Sequence, residues 1–314
     1  MKIVVILGPT ASGKTSLGIY LAKKFNGEIV SADSRQVYKG LDIGTAKVPN
    51  IKPKNRSEFQ KRMGYCLAEG VPHWLIDVAD LQKETFSAGK FRKMADKVIE
   101  DISKRGRLPF LVGGSMLYID AVVEGLKFAP PVDPKIRQKL QDKSLKELLS
   151  LLKKKDPRAY ELVDRKNRRR VERALEVKLS TGKSIIDFWQ KEPRYEALKL
   201  GIRIPRDILY KRIDKRVDER MKEGMLEEVK GLLNMGVPAE KLISLGLEYR
   251  YLTLYLLGEI SSLKEAVKLL KGAIHRFARR QLSWWRQDKN IVWIEFGPRL
   301  QKEAEKVVEE FLKK

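Results

Sequence analysis

Short apolar runs predict the strands of this chain. Residues 2–7 read KIVVIL, a run rich in β-branched side chains that ends at Gly8, as buried strands often do. The same pattern of a few apolar residues closed by polar or turn-forming residues predicts further strands at 28–31, 73–78, 108–112, 198–204 and 291–296. Residues 40–60 are rich in Gly, Pro, Lys and Asn and are predicted to form a surface loop.

Longer segments with apolar residues on one side predict helices between these strands. In segment 86–104, one side of a helix would carry Phe91, Ala95, Val98 and Ile102. Other helices are predicted at 14–25, 145–152, 171–179, 207–223, 226–234 and 263–289, and a last one closes the chain. Strands that alternate with helices indicate an α/β fold, with a parallel sheet core and helices on both faces.

The stretch from Pro134 to Tyr195 lacks a strand pattern and divides the chain. Prolines flank it, with Pro130-Pro131 before it and Pro193 near its end. We therefore predict an inserted helical domain between two parts of one core. The first part of the core covers 1–130, the insert covers 131–195, and the second part, with basic C-terminal helices, covers 196–314.

Positive charge is in excess and is concentrated in the insert. The chain has 65 Lys and Arg residues against 41 Asp and Glu residues, a net charge of +24. Residues 134–195 hold 19 basic and 9 acidic side chains, a net +10. Such an excess indicates a polyanionic partner, above all a nucleic acid. A heavily charged thermophilic surface is the alternative, but such surfaces tend to balance Lys with Glu.

The remaining composition favours an intracellular protein. A single cysteine, Cys66, excludes a disulfide framework and fits a reducing compartment. The N-terminal apolar run is too short for a signal peptide, and no later segment has 18 uncharged apolar residues. We expect a cytoplasmic protein that does not enter a membrane. We also expect a monomer, since no oligomerisation pattern is present.

The segment GPTASGKT matches the phosphate-binding loop G-x-x-x-x-G-K-S/T, between a predicted strand and a predicted helix. Glycines let backbone N–H groups surround an anion, and a helix N-terminus adds partial positive charge. The predicted diphosphate ligands are Gly8, Pro9, Thr10, Ala11, Ser12, Gly13, Lys14 and Thr15. Lys14 supplies a full charge, and the Thr15 hydroxyl can bind Mg²⁺. The fold is therefore P-loop NTPase-like, although an ATP-binding kinase, an ATPase and a transferase that expels pyrophosphate would all use this loop.

Two aspartates are predicted at the carboxyl ends of strands, where open α/β sheets bind ligands. Asp33, in SADSRQVYKG, can be a base, an acceptor for a substrate amine, a metal partner or a turn-capping residue. Asp77, in HWLID, resembles a Walker-B aspartate, or a strand-end residue that bonds the P-loop or a water on Mg²⁺. Gly113-Gly114 is expected near the phosphate site because glycine allows close backbone approach. Tyr118 is expected in the core.

Two predicted helices, with residues placed at 100° intervals, present basic side chains on one face. The helix between Asn167 as N-cap and Gly182 as C-cap would pack its apolar side and present Arg169, Arg170 and Arg173. In HRFARRQLSWWR the aromatic residues are mostly core, and the opposite arc holds Arg276, Arg279 and Arg280. The first face suits RNA phosphates, with a solvated face as the alternative, and the second suits either the RNA backbone or pyrophosphate. The helix at 207–223 would carry either a phosphate lid or a charged surface of Arg212, Lys215, Arg216 and Arg220.

In these and further motifs the chain resembles the bacterial tRNA dimethylallyltransferases, also called isopentenyl-tRNA transferases. The resemblance covers nearly the whole chain and rests on an ordered series of motifs. These are GPTASGKT, SADSRQVYKGLDIGTAK, VPHWLIDV, FLVGGSMLYIDAVVEGL, RALEV, RIDKRVDERMKEGMLEEV and ARRQLSWWR. A P-loop alone would be weak evidence, whereas this series is highly specific.

The resemblance implies an activity, a fold and a set of partners. The reaction would transfer a dimethylallyl group from dimethylallyl diphosphate to N6 of an adenosine, with Mg²⁺ as the metal and pyrophosphate as the product. That adenosine would lie immediately 3′ of the anticodon in tRNAs that read codons beginning with U. The fold would be a P-loop core with a helical insert that grips the anticodon arm.

The resemblance also implies roles for single positions. Asp33 would orient N6 and act as general base, Thr10 would contact the bridging oxygen, and Arg216 would join Lys14 and Thr15 in neutralising pyrophosphate. The tRNA would be contacted by Asp33, Ser34, Arg35, Gln36, Ser115, Arg137, Arg169, Arg170, Arg173, Arg276, Arg279 and Arg280. Ser115, Ser283, His275 and Arg279 depart from the commonest family residues but keep a hydrogen-bonding group or charge. The GLEYR segment at 246–250 departs further, so its RNA contact is left open.

Two other classes of function are alternatives. A small-molecule kinase would use the P-loop and Asp33 but would not need a basic insert. An RNA-binding protein without catalysis would explain the charge of +24 but would not need Asp33.

Overall fold

The chain forms two compact units in a computed structural model that describes residues 1–48 and 51–314. The first unit joins Met1–Val123 to Tyr195–Lys314, and the second is Glu124–Arg194. Pro49 and Asn50, in the predicted loop 40–60, lie outside the described residues. Among the described helices, none has both the length and the apolar composition needed to cross a membrane.

The first unit is built on a seven-stranded sheet. Its strands are β1 (Lys2–Leu7), β2 (Gly27–Ala32), β3 (Cys66–Ala68), β4 (Val71–Trp74), β5 (Leu108–Gly113), β6 (Glu196–Arg203) and β7 (Ile291–Glu295). They lie in the order β3-β4-β2-β5-β1-β6-β7. All neighbours are parallel except β3 and β4, so the P-loop after β1 and Asp33 after β2 open at the same edge.

Helices cover both faces of this sheet, as predicted. The helices of the first unit are α1 (Lys14–Lys24), α2 (Glu58–Arg62), α3 (Ala88–Lys104), α4 (Met116–Val123), α9 (Arg206–Lys222), α10 (Met225–Asn234), α11 (Ala239–Leu245), α12 (Leu247–Leu256), α13 (Leu263–Trp285) and α14 (Leu300–Lys313). Strand β1 shows why two layers are needed. Its Ile3, Val5 and Leu7 enter one core, while Val4 and Ile6 enter a second core that α1 and α14 cover.

The predicted strand at 73–78 is wrong after its second residue. Strand β4 ends at Trp74, and both Leu75 (φ 64°) and Asp77 (φ 57°) adopt left-handed backbone conformations. Leu75 and Ile76 are nevertheless buried. A short apolar run reports burial and does not distinguish a strand from a buried bend.

The second unit is a helical bundle with its own core. It contains α5 (Pro134–Gln141), α6 (Leu145–Lys155), α7 (Pro157–Leu162), α8 (Arg168–Thr181) and a 3₁₀ turn at Ile185–Phe188. Leu148, Leu152, Val171 and Leu175 are fully buried within it. The unit begins before the predicted start at 131, because Leu126 forms an antiparallel bridge with Lys191.

Candidate active site

The P-loop folds as an anion-binding turn at the start of α1. Gly13 precedes the helix at φ 94°, a conformation that glycine adopts without strain, and no described side chain caps the first turn. The free N–H groups of that turn are thus available to an anion. The ammonium group of Lys14 donates to the carbonyl of Pro9 over 2.7 Å, so the lysine is folded over the loop.

Three side chains from later helices hold the P-loop. Arg216 of α9 donates a hydrogen bond to the Thr10 hydroxyl, and Arg212 donates to the Ala11 carbonyl over 2.8 Å. Gln281 of α13 accepts from the Thr10 N–H over 2.9 Å and donates to the Gly114 carbonyl over 2.8 Å. Gln281 therefore ties the loop after β1 to the end of β5.

Sequence reasoning missed Gln281. At 100° per residue Gln281 falls on the packing side of its helix, opposite the arginines, and it is buried. A glutamine on an otherwise apolar arc was the available signal, because a buried amide needs hydrogen-bond partners. Nothing in the sequence named those partners, which lie more than 160 residues away along the chain.

The site contains two basic side chains, Lys14 and Arg216, whose pKa values are lowered. Burial, followed by the nearby charge of Arg216, lowers the pKa of Lys14 to about 7, although Asp33 opposes the shift. Burial, followed by the charge of Arg220, lowers the pKa of Arg216 to about 10. Both shifts have the same physical meaning: burial first, and a neighbouring cation second, disfavour the charged form, which a bound anion would stabilise.

Asp33 follows β2 and uses only one of its oxygens within the protein. Its Oδ1 accepts from the backbone N–H groups of Arg35 over 2.8 Å and Gln36 over 3.3 Å. Its Oδ2 accepts no hydrogen bond from a described residue. The turn-capping interpretation and the acceptor interpretation are thus compatible, because each requires a different oxygen.

These groups share one cavity of about 780 Å³ in the first unit. Its wall contains Thr10, Lys14, Thr15, Asp33, Ser115 and Arg216. The cavity also reaches the Gly113-Gly114 pair, as predicted. A side chain at Gly114 would bring a Cβ atom within 2.7 Å of the Gln281 amide, which explains the glycine there. A volume of this size can hold a small diphosphate ester together with one nucleobase.

Residues 34–36, which are predicted to contact tRNA, form hydrogen bonds with other residues of the protein. The Ser34 N–H donates to the Ser115 hydroxyl over 2.8 Å. The Arg35 guanidinium donates to the Leu245 carbonyl, just before the GLEYR segment. The Gln36 side chain accepts from the Ser31 hydroxyl and donates to the carbonyls of residues 45 and 46. Direct RNA contact by Ser34, Arg35 and Gln36 stays a prediction.

Asp77 does not occupy a Walker-B position, so that prediction is wrong. Its carboxylate pairs with Lys47 over 2.6 Å and also with Lys52, and it is absent from the described cavity wall. The left-handed turn after β4 takes the side chain away from the P-loop. Tyr118, in contrast, is core as predicted, since it is buried and stacks on Phe91 with ring centroids 4.1 Å apart.

The four arginines of the second unit that are predicted to contact tRNA fall into two groups. Arg137 and Arg173 both pair with the buried carboxylate of Glu176, so their charge is used inside the unit. Arg169 and Arg170 are exposed, and Arg169 makes no ion pair with a described residue. Helix α8 has the predicted caps, with Asn167 at its start and Gly182 in a left-handed conformation after its end.

The arginine face of α13 is exposed at Arg276, Arg279 and Arg280. Trp285 is buried on the opposite side, as predicted. Trp284 is 40% exposed and donates its indole N–H to Asp120, so its assignment to the core is wrong. The angular pattern puts Trp284 on the side opposite the arginines, and the ring is left partly exposed there.

Comparison with known proteins assigns the chain to a family. Residues 36–288 match the IPP transferase family, and the chain belongs to it. It is 42% identical to the tRNA dimethylallyltransferase of Carboxydothermus hydrogenoformans, over 98% of this chain and 97% of that protein. It is 41% identical to the tRNA dimethylallyltransferase of Geobacter metallireducens, over 94% of this chain and 93% of that protein.

Solved structures agree with this assignment. The full-length tRNA isopentenylpyrophosphate transferase of Bacillus halodurans has a TM-score of 0.71 and 36% identity, covering 99% of this chain and 97% of that one. A eukaryotic dimethylallyltransferase solved in action on tRNA has a TM-score of 0.77 and 25% identity, covering 99% of this chain and 79% of that one.

Proposed function

We propose that the protein transfers the dimethylallyl group of dimethylallyl diphosphate to N6 of the adenosine immediately 3′ of the anticodon. The tRNAs would be those that read codons beginning with U. One observation carries the proposal: the P-loop, the two cations Lys14 and Arg216, and an Asp33 oxygen that accepts no hydrogen bond from residues 1–48 and 51–314 all open into one cavity. Family membership supports the same chemistry.

The diphosphate would be bound by the N–H groups at the start of α1, by Lys14 and by Arg216. The Thr10 hydroxyl, which already accepts from Arg216, would turn toward the bridging oxygen. Negative charge grows on the diphosphate as its C–O bond breaks. Cations already in place therefore stabilise the transition state more than the ground state.

Asp33 would perform the proton transfer. The adenine must leave its stack to enter a cavity, and its N6 amine would donate to the unpartnered Oδ2. As the N6–C bond forms, a proton passes from nitrogen to this carboxylate, and pyrophosphate departs with the electron pair of the C–O bond. The N–H groups of Arg35 and Gln36 keep the carboxylate in place through its other oxygen.

A magnesium ion fits the site in the way that phosphate-binding enzymes use it. No cluster of three acidic, His or Cys side chains suited to a metal occurs among residues 1–48 and 51–314. Mg²⁺ commonly takes most of its ligands from phosphates and water, with few from protein. Thr15 would contribute its hydroxyl, and the ion would neutralise diphosphate charge when bound.

Transfer RNA would bind through phosphate contacts. Arg169 and Arg170 of α8 offer exposed charge, as do Arg276, Arg279 and Arg280 of α13. Arg137 and Arg173 would act by holding α5 and α8 in place through Glu176. The monomeric state and cytoplasmic location inferred from the sequence belong to the same proposal.

The test is a mass measurement on modified RNA. The protein is incubated with unmodified tRNA, Mg²⁺ and dimethylallyl diphosphate, and the RNA is digested to nucleosides. We expect a dimethylallyl-adenosine with the parent protein and none with Asp33→Ala, which should still bind tRNA. Unmodified adenosine despite tRNA binding would reject this donor, and tight ATP binding without competition from dimethylallyl diphosphate would favour a kinase.

A further inference from the structure

The side-chain carboxylate of Glu228, on α10, accepts four hydrogen bonds from other parts of the chain. It accepts from three consecutive backbone N–H groups, those of Asp42 over 2.9 Å, Ile43 over 2.6 Å and Gly44 over 3.1 Å. It also accepts from the Tyr249 hydroxyl over 2.8 Å. Hydrogen bonds to an ionised acceptor are about twice as strong as neutral ones, so this carboxylate is a firm anchor.

The anchored segment is part of the cavity wall. We call residues 41–48 the 41–48 loop, and residues 42–48 of it line the cavity. The loop has no helix or strand of its own; two backbone hydrogen bonds within it, Ala46 N–H to Ile43 and Lys47 N–H to Asp42, form a turn, and side chains bind its remaining backbone groups. Glu228 binds its N–H groups from one side. Arg220, paired with Glu248, donates to the Gly44 carbonyl over 3.2 Å.

Near its C-terminal end, the loop accepts hydrogen bonds from Gln36. The Gln36 amide donates to the carbonyls of Thr45 over 3.2 Å and Ala46 over 3.3 Å, while its oxygen accepts from Ser31. The backbone N–H of Gln36 in turn donates to Oδ1 of Asp33. A continuous set of hydrogen bonds thus joins Glu228, the 41–48 loop, Gln36 and Asp33.

We infer that Glu228 is a positioning residue for the transfer reaction. It folds the 41–48 loop around its carboxylate, the loop fixes Gln36, and Gln36 fixes the carboxylate of Asp33. The inference rests on the role proposed above for Asp33. Glu228 itself is not in the cavity wall, so it acts through the loop and does not touch the substrates.

The packing around Tyr249 supports a rigid anchor. Tyr249 is fully buried, and burial together with the neighbouring Glu228 carboxylate raises its pKa, so its hydroxyl stays protonated and donates. A Cβ atom added at Gly44 would lie 2.7 Å from the Tyr249 hydroxyl oxygen. Glycine at position 44 therefore allows the loop to approach this tyrosine.

The test compares Glu228→Gln with Glu227→Gln, its exposed neighbour on the same helix. A glutamine keeps the size of the side chain but loses the charge and part of the acceptor capacity. The measurement is the rate constant of a single turnover, with enzyme in saturating excess over tRNA and with saturating donor. Because all tRNA is then bound to folded enzyme, this rate constant depends on the geometry of the reacting groups and not on the folded fraction. We expect a fall of about 10–100-fold for Glu228→Gln, because small misplacements of reacting groups have effects of this size. Glu227→Gln should match the parent.

Affinity measurements separate positioning from binding. The Kd values for tRNA and for inorganic pyrophosphate should stay within threefold of the parent in Glu228→Gln. Gly44→Ala displaces the same loop from the other side and should reproduce the rate loss. The double variant should be no slower than the slower single variant, since both act on one loop. Tyr249→Phe, which removes one of the four bonds, should lose less.

Several results would overturn the inference. One is a single-turnover rate constant of Glu228→Gln equal to that of the parent, whatever its thermal stability. Another is a rate loss in Glu228→Gln without one in Gly44→Ala. If Glu228→Gln fails to fold, a parental rate constant in both Tyr249→Phe and Gly44→Ala would reject the role of the loop. A parent protein that forms no dimethylallyl-adenosine would instead reject the proposed function.

Discussion

The Arg216 guanidinium donates a hydrogen bond to the Thr10 hydroxyl, although 206 positions separate the two residues. The contact joins the P-loop after β1 to α9, a helix from the second part of the core. It places a cation against the hydroxyl that is proposed to meet the bridging oxygen of the diphosphate. Neither residue could be assigned to this contact from its local sequence.

Removal of this cation should slow the chemical step. For Arg216→Gln we expect kcat to fall about 10²–10³-fold, the usual effect of losing one preorganised donor. Thr10→Val should also slow the reaction, and the double variant should lose less than the product of the two single losses because the residues touch. Lys211→Gln, an exposed change on the same helix, is the control. Fully multiplicative losses would mean that the contact is not used in catalysis.

The lowered pKa of Lys14 predicts that pyrophosphate binding depends on pH. Below pH 7 the ammonium is already charged, whereas above pH 7 a bound anion must draw a proton onto Lys14. Affinity for inorganic pyrophosphate should therefore weaken as pH rises from 7 to 9, by at most about tenfold per unit. Calorimetry in buffers of different ionisation enthalpy should show proton uptake at pH 8.

Lys14→Met provides the comparison, because it removes this titration but not that of pyrophosphate itself. The pyrophosphate affinity of the parent divided by that of Lys14→Met should fall as pH rises. A ratio that is constant between pH 6 and pH 9 would show that Lys14 keeps its charge throughout.

Loss of the Gln281 amide should affect both stability and the P-loop. In Gln281→Leu the Thr10 N–H and the Gly114 carbonyl, both partly buried, lose their side-chain partner. We expect the free energy of unfolding to fall by about 1–3 kcal/mol, because two hydrogen bonds that each contribute about 0.5–1.5 kcal/mol are lost. Pyrophosphate affinity should fall as well. Chemical denaturation measures the first effect, with the exposed Gln287→Leu as control. Unchanged stability would mean that other groups replace the amide.

The exposed charge of Arg169 should contribute to tRNA binding without shaping the fold. Arg169→Ala should weaken binding and lower the slope of log K against log salt by about one unit. Lys24→Ala, at the end of α1 that is remote from the P-loop, should leave the slope unchanged. The thermal stability of Arg169→Ala should match the parent, whereas Arg137→Ala should be destabilised because it leaves the buried Glu176 with one partner fewer. An unchanged slope in Arg169→Ala would exclude a phosphate contact there.

The sequence alone determined the features that depend on local pattern. The apolar runs of β1, β2 and β5 report burial from both faces, so an α/β core followed from them. The eight residues of the P-loop carry their own conformation, since glycine spacing and the following helix are local. Charge counts separated the helical insert from the core. Its boundary was misplaced at 131 because the bridge between Leu126 and Lys191 is not a local feature.

Only the tertiary structure decided which side chains meet. Asp77 resembles a Walker-B residue in sequence, but the left-handed turn after β4 places its carboxylate beside Lys47 and Lys52. Gln281 and Glu228 gave little signal, because an amide or a carboxylate on a helix becomes informative once its backbone partners are known. Hydrogen bonds across more than 150 residues depend on distances of a few ångströms. A pattern along one chain fixes which face is buried, but it does not fix those distances.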